Sequence, residues 1–298
     1  MRWRKQAGDE SGIEDRRGQG GGGLGGLSGG RIAGGVGGLG IVGVIVALLV
    51  SVLGGGGGGF GIPDLNALPA APAADQNVLQ QNGVDADEKL KDFVAFVQRD
   101  VQDFWEQQFQ AGGQQYQRTV VVLYTNGVTT GGCGQASSAA GPFYCPGDRK
   151  VYLDLSFFRE LRDRFEAPGD FAQAYVIAHE FGHHVQNLLG VMDQVNRRQN
   201  GNPGEANELS VRLELQADCL AGVWAHSVYE KDGFDDGDLQ EGLDAAASVG
   251  DDRIQQQATG HVDRDSFTHG SSAQRVKWFQ AGFENGEMSA CNTFSGDI

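Results

Sequence analysis

The chain has 298 residues, of which 39 are Asp or Glu and 23 are Lys or Arg, so its formal net charge at pH 7 is −16. This acidic balance excludes nucleic acid as an expected partner, because binding to phosphates needs a basic surface. Hydrophobic residues make up 40% of the sequence, which is enough to bury a core and excludes a fully disordered chain. The 48 glycines follow no three-residue period, which excludes a collagen.

The N-terminal part of the chain divides by composition into three segments. Residues 1–31 are rich in glycine, and basic residues outnumber acidic ones there. Ile32–Leu53 carries no charge and is long enough, at about 1.5 Å per residue, to cross a bilayer. Residues 54–84, rich in Gly, Pro and Ala, are predicted to be a flexible linker. Residues 85–298 are then predicted to form one folded domain.

Ile32–Leu53 is interpreted as a single-pass membrane anchor. Because the basic residues precede the span, the positive-inside rule places residues 1–31 in the cytoplasm and the domain in the periplasm or outside the cell. A cleaved signal peptide and a buried core helix are the alternatives, whereas a lipoprotein signal is excluded because no Cys follows the segment. Gly34 and Gly38 form one GxxxG, a spacing that pairs helices in membranes, but it leaves the oligomeric state undetermined.

The secondary structure predicted for the domain begins with a helix. Apolar residues at helical spacing predict this helix over Asp87–Gln110, and β-branched runs predict strands at Thr119–Tyr124 and Val151–Leu155. Ser156–Phe165 is predicted to be a helix that ends before Pro168. One helix, a few strands and then mostly helix indicate an α+β fold with a small sheet and a helical C-terminal part.

The four cysteines predict two disulfides, because an even number of cysteines is typical of an oxidising compartment. Cys133 and Cys145 bracket a short Gly/Ser/Ala loop and are predicted to pair. Cys219 and Cys291 are then partners by elimination. A structural zinc site is the alternative, and it is disfavoured because the sequence has no CxxC pair.

A zinc site is predicted on Asp170–Leu189, a half-buried helix that Asp170 is expected to cap. His179, Glu180 and His183 match the motif HExxH. Histidines four residues apart lie on one face of a helix, so both rings can bind one Zn²⁺. Glu180 is then placed to act as the general base on a metal-bound water. A buried helix that carries two incidental histidines is the alternative.

The third zinc ligand is expected on a second helix, Glu208–Val228. Glu214 and Asp218 lie four residues apart on this mostly apolar stretch and share one face. Glu214 is predicted to bind the metal, and Asp218 to accept the Nδ1–H of a ligand histidine. The alternative for both side chains is a solvated acidic edge.

The residues that follow HExxH indicate which type of zinc site this is. Gln186 and Leu189 stand where the metzincin pattern HExxHxxGxxH has Gly and His, so a glutamate is the expected third ligand, as in a gluzincin. His184 points about 100° away from His183 around the helix. It is interpreted as lying behind the ligands or on the surface, and not as a ligand.

Hydrolysis of a peptide also needs a donor for the oxyanion besides the zinc. His269, in the segment THGSS, is the favoured candidate, with an exposed loop histidine as the alternative interpretation. The other candidates are His226, Tyr229 and His261. A strand near Val151 is expected to offer its edge to an extended peptide substrate.

Several segments together resemble one bacterial family, the neutral zinc metallopeptidases with one N-terminal membrane anchor. They are the opening MRWR with SGIEDRRG, CG…GPFYCPGDRKVYLD, HEFGHHVQ, ELQADCLAGVWAH and THGSSAQRVKWFQAGFENGEMSACNTF. The resemblance runs through most of the chain. It implies a zincin-like fold of the gluzincin type, with His179, His183 and Glu214 as zinc ligands and Glu180 as the catalytic base.

The sequence therefore predicts a zinc-dependent endopeptidase anchored in the bacterial cytoplasmic membrane, with a peptide or protein as its substrate. One alternative is a catalytically idle zinc-containing module of the cell envelope that binds proteins or acts like a chaperone. Another is an adhesion domain without metal. Glu180 argues against the idle module, because a structural zinc site needs no base beside the metal.

Overall fold

The computed structural model describes residues 1–5, 9–18 and 76–298, which form a mixed α+β fold that is mostly helical, with small sheets. This confirms the predicted α+β class. The strands are β1 (Ile13–Asp15), β2 (Val121–Tyr124), β3 (Gly127–Thr129), β4 (Gln135–Ser137), β5 (Phe143–Cys145) and β6 (Lys150–Asp154). The α-helices are α1 (Gln76–Ala111), α2 (Ser156–Asp163), α3 (Asp170–Leu188), α4 (Val191–Gly201), α5 (Ala206–Glu230), α6 (Asp238–Ser248), α7 (Asp251–Thr259) and α8 (Ser272–Asn285).

The predicted helices and strands are confirmed to within a few residues at most of their ends. Helix α1 is the exception, because it begins at Gln76, inside the segment predicted as linker. The prediction that Asp170 caps the motif helix is wrong. Gly169, with φ 120°, precedes α3, and Asp170 is its first helical residue. The Asp170 carboxylate instead accepts a hydrogen bond from the N-terminal ammonium of Met1.

The main sheet has the strand order β1-β2-β6-β5. Strands β1, β2 and β6 are parallel, and β5 runs antiparallel to β6, while β3 and β4 form a separate hairpin. The predicted peptide-binding edge near Val151 is wrong, because Val151 pairs with Val121 on one side and Tyr144 on the other. The edges of this sheet are β1 and β5.

Helix α3 lies at the centre of the domain and is buried along most of its length, not half-buried as predicted. Helices α1, α5 and α6 and strand β5 pack against it and together cover most of its circumference. Phe171 stacks on Trp224 of α5, and Tyr175 packs edge-to-face on Phe279 of α8. The motif helix is therefore held on several sides by the rest of the core.

Both predicted disulfides are confirmed. Cys133 bonds to Cys145, and Cys219 bonds to Cys291. The first closes the loop that leads into β5. The second ties the C-terminal segment to the middle of α5.

The described N-terminal residues pack against the domain. Strand β1 adds to the sheet beside β2, in register from Ile13 to Asp15. The Trp3 ring contacts Phe93 of α1 edge-to-face, with ring centroids 5.3 Å apart. The Lys5 ammonium lies 2.6 Å from the Asp92 carboxylate. These contacts join residues near the start of the chain to strand β2 and helix α1.

No helix in residues 1–5, 9–18 and 76–298 is both long and apolar enough to cross a membrane. The predicted span Ile32–Leu53, its GxxxG and most of the predicted linker lie outside the described residues.

Candidate metal centre

Two helices approach closely where the predicted ligands lie. A Cβ atom added at Gly182 of α3 would lie 3.0 Å from the carbonyl oxygen of Ala217 in α5. A side chain larger than hydrogen at this position would push the helices apart. The close crossing brings the face of α3 with His179 and His183 against the face of α5 with Glu214.

The structure brings together the three predicted ligands. One ligand atom from each of His179, His183 and Glu214 lies within 4.8 Å of the others. The Nε2 atoms of the two histidines are 3.2 and 3.4 Å from the two carboxylate oxygens of Glu214. Two imidazole nitrogens and one carboxylate are a donor set of catalytic zinc sites, so the residues fit this metal.

Asp218 orients the first histidine. Its Oδ1 lies 2.8 Å from Nδ1 of His179, and it also accepts hydrogen bonds from the Tyr175 hydroxyl and from Arg275. Burial alone would raise the pKa of Asp218, but Arg275 and His179 lower it, so the group is a carboxylate that can only accept. His179 therefore donates from Nδ1 to Asp218 and directs Nε2 toward Glu214.

The second histidine is oriented by Gln186, a fully buried residue of α3. Nδ1 of His183 lies 2.9 Å from Oε1 of Gln186, and Nε2 of Gln186 donates to the carbonyl oxygen of Leu213 over 2.7 Å. A carbonyl oxygen only accepts, which fixes the amide of Gln186 with its oxygen toward the histidine. His183 therefore also presents Nε2 toward Glu214.

Before any metal binds, the two histidines of the ligand set are already paired with carboxylates. Burial alone would lower the pKa of His179, but the carboxylates of Asp218 and Glu214 raise it to about 9. Burial alone would raise the pKa of Glu214, but His183 and His179 hold it well below its usual range. The cluster therefore contains opposite charges. Because a metal binds a deprotonated imidazole nitrogen, the two imidazoles must give up protons before a metal binds.

Glu180 has a different environment from the other acids of the site. Its side chain is 0% exposed, and neither carboxylate oxygen has a hydrogen-bond partner among the described residues. Burial raises its pKa, and the charges of His183 and His179 oppose this shift, so the group lies near the ligand set. A buried unpartnered carboxylate is costly, and a cation held by the three ligands would offset that cost.

His269 is buried, and its interpretation as an exposed loop histidine is wrong. It is 3% exposed, and its Nδ1 lies 3.0 Å from a carboxylate oxygen of Asp251. Burial alone would lower the pKa of His269, but Asp251 and Glu214 raise it. The segment after α7 thus carries a buried histidine to the neighbourhood of Glu214.

His184 is neither a ligand nor a surface residue. It lies between the Tyr144 hydroxyl, 3.0 Å from Nδ1, and the carbonyl oxygen of Gln117, 2.7 Å from Nε2. Burial lowers the pKa of His184 to about 4, so the ring is neutral. It ties α3 to strand β5 on a face of the helix about 100° from His183.

The other three oxyanion candidates do not join the site. His226 hydrogen-bonds to the carbonyl oxygen of Phe283, Tyr229 is 59% exposed, and His261 is exposed after α7. In the described part of the chain, none of the three forms a hydrogen bond with a predicted ligand.

Four residues of the site were not found from the sequence: Tyr175, Gln186, Asp251 and Arg275. Tyr175 lies four residues before the first ligand histidine and Gln186 three after the second, so helical spacing was the available signal. Asp251 and Arg275 lie far from the motif in the sequence, and no local pattern connects them to it.

The fold and the site define a class of protein: a mixed α+β domain whose HExxH helix and a glutamate of a second helix form a cluster of side chains that fits a metal ion. The sequence model of the family described as "Putative neutral zinc metallopeptidase" matches residues 1–294, so the chain belongs to this family. This confirms the family identified from the sequence, and zinc is the metal that the family implies.

The chain is also similar to proteins of two bacteria. It is 52% identical over 213 residues to "Uncharacterized protein YpfJ" of Escherichia coli strain K12, covering 71% of this chain and 74% of that protein. It is 50% identical over 191 residues to "Uncharacterized protein Mb2605" of Mycobacterium bovis, covering 60% of this chain and 64% of that protein. No solved structure matches the chain.

Proposed function

We propose that the protein is a zinc-dependent endopeptidase of the gluzincin type. The observation that carries the proposal is Glu180, a buried carboxylate without a hydrogen-bond partner beside His179, His183 and Glu214. A zinc site that only holds a fold together has no use for such a group. A hydrolytic site needs a base within reach of the attacking water.

Each group of the site has a role in this reaction. His179, His183 and Glu214 would hold zinc, which supplies a Lewis acid to the reaction. Glu180 takes a proton from the attacking water and returns it to the leaving amine. Because burial raises the pKa of Glu180, the carboxylate binds this proton more strongly than an exposed glutamate does.

His269 is proposed to stabilise the oxyanion of the tetrahedral intermediate. Its Nδ1 is held by Asp251, which leaves Nε2 as the donor atom for the substrate oxygen. The raised pKa of His269 favours the protonated ring, and a charged donor forms a stronger hydrogen bond to an oxyanion than a neutral one.

The substrate is proposed to bind as an extended peptide along β5. This strand is an edge of the sheet, and a strand at a sheet edge can pair with an added strand through main-chain hydrogen bonds. Tyr144 of β5 contacts His184 and Asn187 of the motif helix through its hydroxyl group. A peptide on this edge would therefore run along α3.

The domain is proposed to work in the periplasm or outside a bacterial cell, in contact with the cytoplasmic membrane through Ile32–Leu53. The two disulfides support an oxidising compartment. The uncharged stretch of 22 residues supports contact with lipid.

The test uses the full chain purified in detergent, with Glu180→Gln and the exposed Glu160→Gln as a matched control. We expect one zinc per chain in all three proteins. We expect the wild type to hydrolyse casein and a chelator to abolish this activity. The rate should fall at least about 100-fold in Glu180→Gln and stay unchanged in Glu160→Gln.

Two results would contradict the proposal. Zinc without hydrolysis of any tested protein would favour the idle module of the cell envelope. A full-length chain that takes up no zinc would overturn the metal site itself.

A further inference from the structure

We propose that Gln186 is a positioning residue that couples the two helices of the metal centre, an inference that rests on the proposed zinc site. Its amide oxygen holds the ring of His183 on α3. Its amide nitrogen holds the carbonyl oxygen of Leu213 on α5, the residue directly before Glu214. One buried side chain thus fixes a ligand of one helix relative to a ligand of the other.

The hydrogen bonds leave Gln186 no second arrangement. The side chain is 0% exposed, and its nitrogen also lies 3.1 Å from Oε1 of Gln216, which accepts. Turning the amide over would place its nitrogen against the N–H of His183 and its oxygen against the carbonyl of Leu213. Both contacts would be repulsive, so the amide locks the tautomer of His183 that presents Nε2 to a metal.

The contact continues to the C-terminal segment. Gln216 donates from its own amide nitrogen to the carbonyl oxygen of Cys291 over 2.9 Å. The chain His183–Gln186–Gln216–Cys291 therefore joins the ligand histidine to the segment that the second disulfide anchors. We expect the position of His183 to depend on this whole chain.

The test compares zinc affinity in Gln186→Met and Gln186→Glu by competition with a chelator. Met has a similar volume and no acceptor, so we expect about 10- to 100-fold weaker zinc binding. Glu keeps an acceptor for His183 but repels the Leu213 carbonyl. Gln186→Glu should therefore bind zinc more tightly than Gln186→Met, although it is no more stable to denaturant.

Gln102→Met is the matched control, because Gln102 is 1% exposed and its amide bonds Gln98 and the Thr119 N–H. This variant should lose stability and keep its zinc affinity. Equal zinc affinity in wild type and both Gln186 variants would overturn the coupling role and leave the proposed function intact. Failure of the wild type to bind zinc would overturn the proposed function.

A second inference concerns the side of the membrane on which the N-terminus lies. We infer that residues 1–18 share the compartment of residues 76–298. Strand β1 hydrogen-bonds to β2, and Glu14 of β1 lies 2.6 Å from the Lys150 ammonium of β6. Strand β2, which β1 covers, is fully buried. A single membrane crossing by Ile32–Leu53 would separate strands that belong to one sheet.

Charged contacts support the same placement. Arg17 donates to Asp15 and to Glu88 of α1. The bond from Arg17, together with the charge of Lys91, lowers the pKa of Asp15 to about 2, although burial opposes the shift. Three of the basic residues that the positive-inside rule counts as cytoplasmic, Arg2, Lys5 and Arg17, are ion-paired with the domain. In this arrangement they report a folding contact and not an orientation in the membrane.

The test uses the full chain in cell membranes, with a single cysteine introduced at an exposed position of each part, Ser11→Cys or Gln107→Cys. A membrane-impermeant maleimide is added before and after permeabilisation. We expect both variants to label at the same step. Labelling of one variant before permeabilisation and of the other only afterwards would overturn the inference and support a single-pass anchor.

Discussion

Arg275 is the cation that keeps Asp218 ionised at the end of the hydrogen-bond chain to His179. The guanidinium is 0% exposed and donates to both carboxylate oxygens of Asp218 over 2.8 Å. Removing one partner of a buried ion pair leaves an uncompensated charge. We expect Arg275→Met to lower the free energy of unfolding by about 3–5 kcal/mol, measured in urea.

The control for Arg275 is Arg118→Met. Arg118 also pairs with two acids, Asp103 and Glu106, but its side chain is 43% exposed. An exposed pair contributes about 1 kcal/mol or less, so this variant should be close to wild type. Equal losses in the two variants would show that Asp218 does not depend on its buried partner.

His184 makes the stability of the domain depend on pH. Its pKa is about 4 in the fold, where burial disfavours the charged ring, and about 6.5 in an unfolded chain. The unfolded chain therefore takes up the proton first as the pH falls. The contribution of neutral His184 to the free energy of unfolding is fully present above about pH 6.5 and is lost as the pH falls towards about 4. At pH 5 the free energy of unfolding is lower by about 2 kcal/mol for this reason.

The measurement is the free energy of unfolding of wild type and His184→Gln at pH 7.5 and pH 5. Other titrating groups are common to both proteins and cancel in the difference. The variant should lose about 2 kcal/mol less than wild type between these pH values. An equal loss in both would mean that His184 is not buried as a neutral ring.

At the residue scale, the sequence predicted those site residues that are related by the spacing of a helix. His179 with His183, and Glu214 with Asp218, are pairs four residues apart, and such a spacing places both members on one face. Gln186 was noticed only as a departure from another motif, because a pattern does not say which atom an amide faces. Arg275 reaches Asp218 only through the packing of α8 on α5, which no local spacing predicts.

Helices α5 and α8 cross at two glycines, and this crossing places Arg275 beside Asp218. A Cβ atom at Gly282 would lie 2.0 Å from the carbonyl oxygen of Cys219, and one at Gly222 would lie 2.1 Å from that of Phe279. Backbone atoms cannot yield as a flexible side chain can. Gly282→Ala should destabilise the fold by at least about 1–3 kcal/mol in thermal or urea unfolding.

Gly201→Ala is the control for this crossing. Gly201 is the last residue of helix α4, and a Cβ atom there meets open space. Alanine has a higher helix propensity than glycine, so this variant should be neutral or slightly stabilised. If Gly282→Ala were equally neutral, the helices would not be in close contact at this point.

At the element scale, long periodic segments were predictable and short paired ones were not. The helices with ligands contain enough turns for their apolar pattern to identify them. Strands β1, β4 and β5 have three residues each, too few for a pattern, and they are strands because distant residues pair with them. The edge assigned to Val151 was wrong for the same reason, since the number of partners of a strand is a property of the whole sheet.

At the scale of the whole molecule, the order of segments along the chain did not predict how they meet. The composition change between residues 31 and 54 suggested separate parts on two sides of a membrane. The fold instead places β1 in the same sheet as strands more than a hundred residues later. Long-range pairing of this kind leaves no trace in local composition, so the sequence alone could not indicate it.

The two disulfides should differ in what they do for the site. Cys219–Cys291 joins residues 72 apart, and Cys133–Cys145 joins residues 12 apart. In the chain-entropy model their removal costs about 4 and about 3 kcal/mol, respectively. Cys219 directly follows Asp218, so loss of its bond also frees the C-terminal segment that Gln216 contacts.

We therefore expect Cys219→Ala with Cys291→Ala to weaken zinc binding as well as stability, and Cys133→Ala with Cys145→Ala to affect stability alone. Chelator competition on the folded proteins at a temperature below both unfolding transitions separates the two effects. Because both variants lack one bond, a general loss of rigidity would weaken zinc binding in both. A selective loss in the first would show that the C-terminal segment supports the ligand helices across the whole domain.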